Sequence, residues 1–195
     1  MAPPFLLKDG WMILRHATPI DAPWAAPLIQ ATIGGIGWAL TGEDGDPGAV
    51  SVLSALFPRP GHRLSFEQAL VAEEDGTPLG LAVSYPGDGA EGLDDPYRAR
   101  LRDLGQPSII QTEAQPDEWY LDTLATRPEA RGRGVGSALV EAVAKRAREA
   151  GHARLGLLVE PANDGARRLY ARLGFMEAGR RTVAGHAFLH LVRPL

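Results

Sequence analysis

The chain has 195 residues, a formal net charge of −4, 45% hydrophobic and 23% charged residues, and no cysteine. This balance fits one globular domain over residues 1–195 and excludes disordered, collagen-like and coiled-coil classes, disulfides and thiolate metal sites. Acidity argues against a nucleic-acid partner, no apolar run reaches the roughly 20 residues of a membrane span, and Met1 to Leu7 lack the features of a signal peptide, so a cytoplasmic enzyme with no membrane partner is expected.

Trp11 to Leu14 reads as a first strand, and Asp21 as the N-cap of a helix from about Pro23 to Thr32. A glycine-rich stretch follows, Gly34 to Gly48, and then a short helix over Val50 to Phe57. Gln68 to Glu73 and Leu79 to Tyr85 are apolar runs around Asp75-Gly76, a hairpin signal. Pro86 to Glu118 is a long connection with eight acidic residues, Glu113 and Glu118 among them. It holds a short helix with Asp95 as cap, Pro96 as first residue and Gly105 as stop. A connection of this length suggests a lid or binding loop as readily as a solvated one.

Trp119 to Thr126 is the next strand. Val135 to Ala150 is a helix with Val135, Leu139, Val143 and Ala147 on one face and Gly151 as its stop. Leu155 to Glu160 reads as a buried strand, and Asn163 caps a helix whose stripe is Ala166, Leu169, Tyr170 and Leu173. Arg180 to Val183 and His186 to Val192 alternate as a terminal hairpin. His186 and His190 are four apart, but they fall in that strand and read as structural, so no metal is expected. Strand-helix-strand-helix order demands a parallel crossover and hence a mixed α/β fold.

Between strand and helix stands Arg131-Gly132-Arg133-Gly134-Val135-Gly136. Glycines leave backbone N–H groups open there, and a helix N-terminus adds positive potential, which together suit a pyrophosphate. A Walker A loop is excluded because Gly-Lys-Ser/Thr is missing. A dinucleotide fingerprint fails because Ser137 occupies the position of its last small residue.

The run Leu121 to Gly136 resembles the acetyl-CoA signature of the GNAT superfamily of N-acetyltransferases. Asn163 with Ala166-Arg167-Arg168-Leu169-Tyr170-Ala171-Arg172-Leu173-Gly174-Phe175 resembles its second motif. The resemblance runs from about Trp119 to Phe175. It implies a GNAT-like fold, a central mixed sheet flanked by helices, whose two parallel strands splay apart at their C-terminal ends. It further implies acetyl-CoA as cosubstrate. Leu124, Ala125 and Thr126 would offer backbone groups to pantetheine, and Arg131, Gly132, Arg133, Gly134, Val135, Gly136 and Ser137 would hold the pyrophosphate. Asn163 either meets the pantetheine arm or only caps its helix.

Tyr170 matches the superfamily's tyrosine, and a phenol can protonate a departing thiolate. The amine must lose a proton, and Asp122, Glu118 and Glu160 are carboxylates near the splayed strands. Alternation along the strand puts Asp122 and Glu118 on one face, away from Thr123. The resulting expectation is an N-acyltransferase acting on a primary amine of a small molecule or protein. Its acceptor site would draw on the Gly34–Gly48 loop, the Pro86–Glu118 connection and the terminal hairpin, and the acidity of that connection favours a cationic acceptor such as a polyamine, aminoglycoside or lysine-like amine. The alternative is a non-catalytic acyl-CoA-binding sensor or regulator. Dimers are common in the superfamily, so a homodimer stays open.

Overall fold

The computed structural model describes the backbone of Phe5–Leu6 and residues 11–195. The residues weighed above for a signal peptide lie outside that set except for Phe5–Leu6. In chain order the elements are β1 (Phe5–Leu6), β2 (Trp11–His16), α1 (Ala22–Ile33), α2 (Gly35–Thr41), α3 (Asp46–Leu56), β3 (Ala69–Glu74), β4 (Thr77–Pro86) and α4 (Asp95–Asp103). They continue with β5 (Trp119–Thr126), α5 (Val135–Glu149), β6 (Arg154–Val159), α6 (Asp164–Arg172), β7 (Met176–Val183) and β8 (His186–Pro194). The strands make one sheet in the order β1-β2-β3-β4-β5-β6-β8-β7. Its pairs are antiparallel except β5 with β6, the parallel crossover expected around α5.

Each face of the sheet carries its own core. On one, α5 lays Val135, Leu139, Val143 and Ala147 over Leu70, Ala82, Leu121, Leu155 and Leu157. Each such fully buried aliphatic side chain contributes roughly 1.5–3 kcal/mol by leaving water. On the other face, Ala25, Ala26 and Ile29 of α1 pack with Leu53, Phe57, Val71, Leu81 and Val83.

Three local expectations change. Asp21 stands at the N-cap of α1, but its carboxylate bonds no amide of that helix. It accepts instead from both Arg15 terminal nitrogens at 2.8 Å, the Thr18 amide and the Trp24 indole, which joins β2 to α1. Burial pushes this carboxyl up, yet Arg15, the Thr18 amide and the Trp24 indole together outweigh it and hold it well below the usual range. The glycine-rich stretch is not a loop: it contains α2 and the start of α3. A Cβ on Gly37 would meet Gln30 Oε1 at 2.0 Å, so glycine there permits close contact of α2 with α1.

The third change lies in β5. Val83 pairs with Thr123 and Ser84 with Leu121, so Asp122 is the extra residue of a β-bulge. The bulge resets the alternation: Leu124 packs in the same cluster as Trp119 and Leu121 rather than on the side that strict alternation assigns it. A bulge bends its strand, and the bend falls where β5 leaves β6.

Candidate active site

Parallel pairing of β5 with β6 runs through Trp119↔Leu155, Tyr120↔Gly156 and Leu121↔Leu157 and then stops. Beyond it, the edge of β5 is open toward β6. The Arg127 N–H donates to Leu79 O at 2.9 Å, and hydrogen-bonding direction alternates in an antiparallel pair. Ala125 therefore turns its backbone groups to β4, while Leu124 and Thr126 turn theirs into the gap. Of the three residues expected to offer backbone groups, two have the orientation for it.

At the end of β5 a single 3₁₀ turn, Pro128–Ala130, leads into the glycine loop. Gly132 and Gly134 have φ of +75° and +94°, and a Cβ on either would meet nothing within 4 Å. They are needed for backbone conformation, and the space in front of them is open. The first internal bond of α5 closes from Ala138 N–H to Gly134 O, so the amides of Val135, Gly136 and Ser137 have no partner in their helix. A Cβ on Gly136 would lie 3.5 Å from Leu169 and 3.8 Å from Leu124 and Thr126, so this position lines a narrow path between α5, α6 and the open edge of β5. This cradle of free amides, open glycines and unpaired strand edge fits a pyrophosphate followed by a slender arm. Arg131 is exposed beside it. The Arg133 side chain is bound to Glu74 of β3 at 2.7 Å, so what it turns to the cradle is its backbone.

The path ends in a cavity of about 180 Å³ lined by Leu124, Asp122, Asn163, Tyr170, Arg63 and Glu113, with Ile36 and Leu40 of α2 across from them. Asn163 caps α6, its Oδ1 accepting from the Ala166 amide at 3.1 Å, and its amide group still borders the cavity. Tyr170 packs edge-on against Phe175 with ring centroids 5.5 Å apart. Burial pushes its phenol up to about 12. Among the described residues its hydroxyl has no hydrogen-bond partner, so its proton is free to be given.

The floor of the cavity is a buried ion cluster that sequence reasoning missed. Arg63 lies in the segment between α3 and β3, held by its N–H to Leu93 O and by its neighbour His62, whose ring bridges Leu56 O and the Tyr97 hydroxyl. Its guanidinium donates to Asp122 Oδ2 at 2.9 and 2.6 Å, donates to Glu113 in a short contact, and lies 3.6 Å from Asp94. The Tyr85 hydroxyl donates to Asp122 at 2.6 Å and the Tyr120 hydroxyl to Glu113 at 2.9 Å. Burial alone would lower the Arg63 pKa, but the Asp122 and Glu113 charges outweigh it and hold this side chain cationic. No periodic pattern marks Arg63. The acidic connection was the available signal, since buried carboxylates require a cation.

Glu118 is fully buried and does not line the cavity. It sits under Gly156, where a Cβ would fall 2.2 Å from its Oε2, and it bonds His190 Nε2 at 3.0 Å and the Gln115 amide at 2.9 Å. Glu160 lines the cavity but is exposed. Among the described residues no group of three or more His, Cys, Asp or Glu has metal-holding geometry, and no helix is long and apolar enough to cross a membrane.

The family profile described as "Acetyltransferase (GNAT) family" matches residues 43–175. A crystal structure of an acetyltransferase is 31% identical, covers 93% of this chain and 98% of its own, and superposes with a TM-score of 0.76. An N-acetyltransferase from Staphylococcus aureus Mu50 is 22% identical over 92% of this chain and 99% of its own, with a TM-score of 0.80. The PaiA N-acetyltransferase of Thermoplasma acidophilum, in complex with coenzyme A, is 15% identical over 94% and 99% of the two chains, with a TM-score of 0.56. No curated protein matches the chain.

Proposed function

Since the chain belongs to the acetyltransferase (GNAT) family and is an acetyl-CoA-dependent acyltransferase acting on an amine, we propose that it acetylates a primary amine by direct transfer, with Tyr170 as general acid. The observation that carries this reading is that Tyr170, whose hydroxyl has no hydrogen-bond partner among the described residues, lines the same cavity as Leu124 of the open β5 edge and Asp122 of the ion cluster.

Bound acetyl-CoA would supply the activated acetyl thioester. The amides at the start of α5 and the backbone of the glycine loop would hold its pyrophosphate. Leu124 or Thr126 would donate an N–H to pantetheine or to the thioester carbonyl, and a donor of the latter kind contributes about 3 kcal/mol to an oxyanion. As the amide N–C bond forms and the C–S bond breaks, the nitrogen loses a proton and the sulfur gains one. A phenol with an ordinary pKa near 10 is protonated at neutral pH, and burial raises that of Tyr170 further, so it keeps a proton for the sulfur. Asp122 is our candidate for receiving the nitrogen's proton, directly or through water, because this residue lines the cavity beside Leu124 and Tyr170. Glu118 is left out of that role by its burial against His190.

Calorimetric titration with acetyl-CoA tests the reading. Micromolar binding is expected, and an Arg131→Ala/Gly134→Ala double variant should lose it, since Gly134 at φ +94° strains any side chain. No binding by the unaltered protein would overturn the assignment of the cradle.

A further inference from the structure

The cavity does not end at the ion cluster. Arg63, Glu113, Ile36 and Leu40 also line a second hollow of about 250 Å³ on the far side from Tyr170. Its other walls are Ala39 of α2, Ile109 and Ile110 of the connection, and Val183 at the β7–β8 turn. Gln111 is the sole polar addition to Arg63 and Glu113 in that lining. Ile109 is 90% exposed, the highest value among the large apolar side chains described, and it sits on the rim. The wall is fastened rather than loose: Arg181 of β7 donates to Thr112 O at 3.2 Å, and Gln106 donates to Gly42 O at 3.0 Å. An apolar vestibule therefore opens onto Glu113, and Glu113 stands between it and the reaction cavity.

We propose that the acceptor is a primary amine carried on an apolar body, an aryl- or alkylamine with one positive charge, which seats that body in the vestibule and its nitrogen beside Glu113 and Asp122. The inference rests on the amine-transfer reading above and narrows its substrate. Charge selects the nitrogen end. Arg63, together with Arg98 at 3.9 Å from Asp94, brings two positive charges against the three carboxylates of Glu113, Asp122 and Asp94, so a single added ammonium completes the local balance. The same count disfavours an acceptor carboxylate, because the Arg63 guanidinium is already engaged by three carboxylates. The vestibule selects the rest of the molecule. A second ammonium would lie among Ile36, Ala39, Ile109, Ile110 and Val183 with no carboxylate beside it except the one the first already uses, and burying such a charge is costly. A polyamine is thus a poorer fit than the acidity of the connection alone suggests.

The test measures release of free CoA thiol from acetyl-CoA by the full chain, with 2-phenylethylamine, hexylamine, methylamine, spermidine and a free amino acid as acceptors. We expect kcat/KM for 2-phenylethylamine and hexylamine to exceed that for methylamine and spermidine at least tenfold. Ile109→Asp and Ala39→Asp alter exposed side chains, so both variants should fold. Each should lower the preference for 2-phenylethylamine over methylamine about tenfold. Preference for spermidine or the amino acid, or a preference ratio unmoved in both variants, overturns this inference and leaves the amine transfer standing. Failure of every amine while acetyl-CoA still binds overturns both.

Discussion

On the β5–α6 side of the cavity, the polar groups left open are mostly backbone: the amides of Val135 to Ser137, the glycine loop, and the free edge of Leu124 and Thr126. On the α2–α4 side they are side chains, with Arg63 buried among Asp122, Glu113 and Asp94. The first arrangement is set by local conformation, so it survives changes in most side chains around it. Arg133 illustrates this, since its guanidinium pairs with Glu74 while its backbone belongs to the glycine loop. The second depends on charges that compensate one another in a medium of low dielectric, so each member's loss reaches both stability and acceptor recognition.

That contrast can be broken at three points. Tyr170→Phe removes a proton donor from the cofactor side without altering its packing, so kcat should fall about 10²–10⁴-fold while acetyl-CoA affinity and urea stability stay near native values. An unchanged kcat would remove Tyr170 from the mechanism. Arg63→Met should act through the fold instead. It leaves Asp122 and Glu113 buried without their cation and Asp94 with Arg98 alone, a loss of about 3–5 kcal/mol in urea unfolding. A native midpoint would show that the cluster does not depend on this charge.

Asp94→Asn sharpens the same point in the opposite direction. Burial pushes the Asp94 carboxyl up to about 6, with Arg63 only partly opposing it, and its Oδ1 has no hydrogen-bond partner. The folded chain then binds this proton more readily than the unfolded chain, so stability should fall as pH rises from about 4 to 6 and stay lower above that. The amide variant lacks this loss. Relative to the native protein it should gain up to about 3 kcal/mol at pH 7.5 and nothing near pH 4, read by thermal melts at both. A gain independent of pH would mean that packing rather than the charge sets the effect.

The two sides also differ in how much of them could be read in advance. Val135 to Ala150, the crossover from Trp119 to Leu155, the Asn163 cap and the glycine loop all rest on contacts within a few residues, and each is found where periodicity and capping put it. Gly34 to Gly48 misled because glycine that allows helices to touch, as Gly37 does against Gln30, has the same composition as glycine in a loop. Alternation along β5 failed at Asp122, because a bulge depends on the partner strand's register, which the strand's own residues do not encode.

Local order along the chain, then, was enough for the mixed fold, the glycine loop at the start of α5 and the helix that carries Tyr170, because helix periods, caps and glycine φ values are short-range properties. Arg63 and Glu113 are 50 residues apart, and Arg63 and Asp122 are 59 apart. That these groups meet at the floor of the cavity beside Leu124 and Tyr170, and that a vestibule opens beyond them, was decided only when α2, the connection and the terminal hairpin packed around β5. Charges buried together must be matched in space, and spacing along the chain carries no record of that match.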